Sequence, residues 1–243
     1  MRKLLSSFVV GLGLCCAHTA VAMAAEDRKQ APASDPWQDA TVTHINRMPM
    51  TAHYLPFTTE IGALAQLRMD DAQRFQLNPQ TERRRSLNGV WKFKLVKSPS
   101  LALTDFFKTS YDVSGWQDIQ VPGSWELQGF DAPIYTDVTY PFEANPPLVP
   151  QDYNPVGHYV HEFTVPEEWK GMDIIMDFEG VESAFYLWIN GKRVGYSEDS
   201  RLPAHFNISR HINDLEGILI VMPSTNLAYC CISYLHITIL FSL

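Results

Sequence analysis

Carboxylates at turns are the residues of this 243-residue sequence with chemistry to offer. Glu198 and Asp199 stand side by side after Gly195-Tyr196-Ser197, and Glu182 follows Phe178-Glu179-Gly180-Val181. A general acid and a general base must reach one substrate from fixed positions. Neighbours along a strand point to opposite faces, so Glu198 and Asp199 do not make such a pair. On its own residues Asp199 is a turn-stabilising carboxylate, bonding to nearby backbone or to Arg201. Arg83, Arg84 and Arg85 offer either an anion site or a solvated charge cluster at a domain edge. The four cysteines, Cys15, Cys16, Cys230 and Cys231, all lie near the ends. The body therefore holds neither a metal-ligand pattern nor a Cys/His nucleophile, and its stability must come from its core.

The elements that position these residues read as strands. From Val90 to Val96 apolar Trp91, Phe93 and Leu95 alternate with Lys92 and Lys94, the pattern of a half-buried strand. Similar stretches cover 116–122, 159–165 and 173–178, and 184–189 runs into Asn190-Gly191, the two-residue hairpin signal, before returning through Tyr196. Strands recur with Pro and Gly punctuation and without long amphipathic helices, so βαβ alternation is missing. The expected fold is all-β, an antiparallel β-sandwich of jelly-roll type. Residues 25–85 are polar and dotted with proline and read as an extended N-terminal arm, with a short helix over 61–73. Residues 86–222 form the sandwich. Within it, 122–157 is a long segment whose Phe130, Tyr135, Tyr140, Phe142 and Tyr153 would be costly in water, so it should pack against a partner surface.

Both ends depart from this body. Arg2 and Lys3 precede an apolar run to Ala17 and small residues suited to cleavage, which reads as a signal peptide over 1–24 and predicts periplasmic or secreted delivery. Residues 217–243 contain no Asp, Glu, Lys or Arg. The tail from 223 reads as the product of a frameshift or premature stop, with a membrane tail or a final strand as rivals. No membrane span is expected in the body. The net charge of −8 gives no footprint for phosphate backbones, so nucleic acid is not an expected partner.

Five ordered motifs carry a resemblance. Ser86-Leu87-Asn88-Gly89-Val90-Trp91, Val121-Pro122-Gly123-Ser124-Trp125-Glu126, Tyr135-Thr136-Asp137-Val138-Thr139-Tyr140-Pro141, Phe178-Glu179-Gly180-Val181-Glu182-Ser183-Ala184-Phe185 and Asp199-Ser200-Arg201-Leu202-Pro203 resemble the N-terminal sugar-binding domain of family 2 glycoside hydrolases. They are similar in particular to those of the large β-galactosidases, as is Thr43-His44-Ile45-Asn46-Arg47 in the arm. The resemblance implies a jelly roll docked on a downstream (β/α)₈ barrel, lending loop residues to a galactoside. It assigns to Asp199 contacts with galactose hydroxyls and a share in a sodium site. A carboxylate suits both, accepting paired hydroxyl bonds and offering hard oxygen to a hard cation. It also implies a sugar contact at Asp137, where the family has Asn. An ionised Asp only accepts hydrogen bonds, so that contact is weakened. Trp125, Tyr140 and Trp188 are then either sugar-stacking platforms or packing residues.

Hydrolysis is not expected of this chain alone. Retaining glycosidases hold two carboxyls about 5–5.5 Å apart across the scissile bond. The resemblance places both catalytic glutamates and the magnesium ligands in the barrel, so no catalytic residue and no magnesium site is expected here. The rival reading from a different class is a stand-alone carbohydrate-binding module, and a third is a non-functional truncation product.

Overall fold

The chain divides into two units, Met1–Ala33 and Ser34–Leu243. The structure, a computed structural model, describes residues 35–52, 54–68, 83–132, 150, 152–199, 202–212, 216–224 and 235–242, all in the second unit. The leader and most of the segment around Asp137 lie outside the described residues.

The second unit begins with β1 (His44–Ile45) and a helix, α1 (Glu60–Leu67). Ten strands follow: β2 (Arg84–Ser86), β3 (Gly89–Val96), β4 (Gln117–Val121), β5 (Val156–Thr164), β6 (Asp173–Val181), β7 (Ala184–Ile189), β8 (Lys192–Glu198), β9 (Ala204–Asn207), β10 (Glu216–Ser224) and β11 (Leu235–Ser242). They form a seven-stranded sheet in the order β1-β8-β7-β10-β5-β3-β4 and a four-stranded sheet in the order β2-β11-β6-β9. Pairing is antiparallel throughout, so the expected all-β sandwich is the fold observed.

Period-two alternation explains where the core sits. Trp91 and Phe93 of β3, Ile119 and Val121 of β4, and Phe185, Leu187 and Ile189 of β7 face Ile174, Met176 and Phe178 of β6 and Phe206 of β9. The β7–β8 hairpin turns as its sequence predicts, with Asn190 at φ 49° and Gly191 at φ 79°. A second, smaller cluster covers the outward face of the large sheet. There Phe106 and Val160 are buried, with Phe107, Trp116 and Trp188 packed against them. For this reason β5 is buried on both faces from Val156 to Val160.

The arm docks on the sandwich. His44 pairs with Ser197 and Ile45 with Tyr196, while the Asn46 amide donates to Val194 O at 2.8 Å and Arg47 Nη1 to Ser197 Oγ at 2.9 Å. The arginine triplet departs from the solvated cluster expected of it. Arg84 is buried, with Nη2 2.5 Å from Glu179 Oε1, and the Arg85 guanidinium lies 5.5 Å from the Trp169 ring centre. The cause is β2, which threads Arg84 and Arg85 through the edge of the small sheet and across the expected arm boundary at residue 85. Beyond Met222 the described residues also enter the sheets. β10 ends at Ser224 between β5 and β7, and β11 pairs with β2 and β6.

Candidate functional site

Asp199 follows the last residue of β8, and two other elements fix that strand end. The Glu198 N–H donates to Thr43 O of the arm at 2.9 Å, and the Asp199 N–H donates to Ser183 O at 3.1 Å. The Asp199 side chain then turns the chain, with Oδ1 accepting the Leu202 N–H at 3.2 Å. This is the turn-stabilising role that its own sequence context predicts, with a backbone partner. Asp199 is half-buried and Leu202 beside it is exposed, so the turn stands at the surface.

The neighbouring carboxylates do other work. Glu198 accepts a short hydrogen bond from the Tyr196 hydroxyl. Burial raises the pKa of its carboxyl, Tyr196 counters the rise, and the charge of Asp39 adds to it. Glu182 is buried at the connection between β6 and β7. Among the described residues no group of three or more His, Cys, Asp or Glu is arranged to hold a metal ion.

Asp137 lies outside the described residues, as do Tyr135 and Tyr140. The stems of its segment are tied together, because the Tyr153 hydroxyl donates to Asp131 Oδ2 at 3.0 Å. Burial, reinforced by Asp131, pushes the Tyr153 phenol up to about 12, which keeps it a donor at neutral pH. Trp125 is core: it is fully buried, 6.0 Å from Phe93 between ring centres. Trp188 is half-buried on the outward face of the large sheet.

A polar cluster on the small sheet escaped sequence reasoning. Asp177 of β6 and His205 of β9 are cross-strand partners, with His205 Nε2 2.9 Å from Asp177 Oδ1. With Glu179, Thr51, Tyr54 and Pro203 they line a cavity of about 230 Å³. The one available signal was Asp177 itself, a charge opposite the apolar face of Ile174, Met176 and Phe178. No helix among the described residues is long and apolar enough to cross a membrane.

The family described as "Glycosyl hydrolases family 2, sugar binding domain" matches residues 84–235. A β-galactosidase from Psychromonas ingrahamii is 42% identical over 186 residues, 76% of this chain and 17% of the relative. One from Photobacterium profundum is 50% identical over 139 residues, 57% of this chain and 13% of the relative. The chain thus spans less than a fifth of these relatives. Among solved structures, Bacteroides uniformis β-glucuronidase 2 covalently bound to cyclophellitol-6-carboxylate aziridine aligns at TM-score 0.50 and 20% identity, covering 65% of this chain and 18% of that one. That likeness speaks for the fold alone. Matched from β2 to the start of β11, the chain belongs to glycosyl hydrolases family 2 through its sugar binding domain.

Proposed function

We propose that the chain is the N-terminal sugar-binding section of an exported β-galactosidase, contributing contacts to the terminal galactose of β-galactosides such as lactose. The observation that carries this is the placement of Asp199. The strand end that bears it is braced by the arm motif and by the β6–β7 connection, in a sequence up to 50% identical to β-galactosidases. Asp199 is the principal sugar contact and Asp137 a weaker one. Sodium sits at Asp199 as part of a site completed by other oxygens. The acid/base and nucleophile belong to a downstream barrel, so the chain alone binds weakly and does not turn over substrate.

Replacing the matching section of the Psychromonas ingrahamii β-galactosidase with residues 84–222 of this chain tests the assignment. The graft should hydrolyse an aryl β-galactoside. Asp199→Ala in it should lower kcat/KM by roughly 10- to 100-fold, the loss of one or two charge-assisted hydrogen bonds. An active graft indifferent to Asp199→Ala would refute the sugar contact. Turnover by the isolated chain, abolished by Asp199→Ala, would refute the division of labour.

A further inference from the structure

The outward face of the large sheet carries a built hollow that the Asp199 site does not use. Trp37, Tyr186 and Trp188 line it together with Val156, and Asp35 and Arg193 stand at its rim, enclosing about 180 Å³. Its aromatic walls are fixed in place. Trp188 lies 5.7 Å from Phe106, 5.8 Å from Phe107 at an interplanar angle of 8°, and 5.7 Å from Tyr186. The Arg193 guanidinium rests 4.7 Å from the Tyr186 ring centre. Surfaces held this way lose little rotamer freedom when a ligand arrives.

We propose that this hollow is a carbohydrate site that takes one neutral pyranose ring. Three features select that occupant. The partly exposed rings of Trp37 and Trp188, backed by the buried Tyr186, match the apolar C–H face of a sugar, which stacks on such surfaces. The rim carries one cation and one anion and is charge-balanced, so it favours a neutral ligand over a uronic acid or a phosphate. Among the described residues neither Arg193 nor Asp35 forms a salt bridge, which leaves guanidinium donors and carboxylate acceptors for hydroxyls. A purely apolar side chain in the same place would strip water from both charges without replacing its hydrogen bonds. The volume, small beside the roughly 300–1,000 Å³ of drug-sized pockets, admits a single ring and not a chain of them. Arg193 and Asp199 are six residues apart along β8, about 20 Å in an extended strand, so this site and the Asp199 turn are independent.

The test is a titration of the full chain followed through the indole N–H resonances of Trp37 and Trp188. Methyl β-D-galactopyranoside, methyl β-D-glucopyranoside and methyl β-D-glucuronide are the probes. A neutral pyranoside should move both resonances saturably with a Kd of about 1 mM, the affinity that weak binding per atom gives a monosaccharide. Arg193→Gln should raise that Kd roughly tenfold through loss of charge-assisted hydrogen bonds. Asp199→Ala should leave it within about twofold, since distant sites act independently. The proposal is overturned by indole resonances that stay still up to ~50 mM, well above the expected Kd. It is equally overturned by a response to the glucuronide alone, or by an Arg193→Gln curve that overlies the wild type. A response abolished by Asp199→Ala would assign the binding to the Asp199 turn, sinking this proposal while leaving the function proposed above intact.

Discussion

His158 is fully buried on β5, and its two ring nitrogens are both engaged. Nε2 accepts the Leu103 N–H at 3.1 Å, and Nδ1 lies 3.1 Å from Lys94 O. Only the neutral ring with its proton on Nδ1 satisfies both partners. Burial pushes the pKa of His158 down from 6.5 to about 4, the nearby Lys94 charge lowers it further, and the bond to Lys94 O opposes the shift. Between those two values the unfolded chain binds more protons than the folded one, so stability is full above pH 6.5 and falls on acidification. From pH 7 to pH 4.5 the loss from this residue is about 2 kcal/mol. Burial also lowers the pKa of His161 and His211, so the wild type alone does not isolate the effect. His158→Gln does, because its amide oxygen can accept the Leu103 N–H and the side chain carries no titrating proton. Urea unfolding of both proteins across this pH range should show the variant about 1 kcal/mol less stable at neutral pH for its imperfect fit, and losing about 2 kcal/mol less on acidification. Parallel stability curves for the two proteins would refute the neutral buried ring.

Other perturbations probe the arm, the small sheet and the hairpin. A Cβ at Gly195 would lie 2.4 Å from Phe206 Cε1 and 2.6 Å from Ile45 O. Phe206 is fully buried, so Gly195→Ala should push β1 away, cost about 1–3 kcal/mol, and speed tryptic cleavage after Arg47. Arg84→Met removes the ion pair to Glu179, whose side chain is 24% exposed, and should lower stability to thermal denaturation by about 2 kcal/mol. Adding Glu179→Gln should restore about half of that loss, because the charge that Arg84 paired is then gone as well. Asn190→Ala places a less tolerant residue at positive φ and removes the amide bond to His211 O, so about 1–2 kcal/mol should be lost in denaturant titration.

β3 and β4 were legible because each has one face on the core, so burial writes a period of two into them, whereas β6 and β7 are buried on both faces and read as apolar runs bounded by turn residues. The Asn190-Gly191 turn was legible for a local reason, the need for positive φ. The helix reached only Leu67 of the expected 61–73 among the described residues. What stayed hidden depends on distant partners. β1 and β2 are two and three residues long, too short to show a period. Phe106 and Trp116 come from a segment without periodicity, and only the folded sheet shows that they pack against Trp188 of β7. The arginine triplet looked solvated because its partners, Glu179 and Trp169, lie some ninety residues away in the chain. At the site, the turn of Asp199 was readable from its residues, whereas its bracing by Thr43 and Ser183 required the fold.

The position of β10 has a consequence for how the molecule comes into being. It lies between β7 and β5, joining the half-sheet β1-β8-β7 to the half-sheet β5-β3-β4. Yet it leaves the ribosome after every other strand of that sheet, and its partners on β5 were made more than fifty residues earlier. Until Ser224 emerges, the growing chain carries two open strand edges rich in apolar residues, the kind of edge that invites pairing with other chains. Closure of the large sheet is a late, long-range event, and a nascent chain arrested before Glu216 should be held open, bound by chaperones or lost to aggregation.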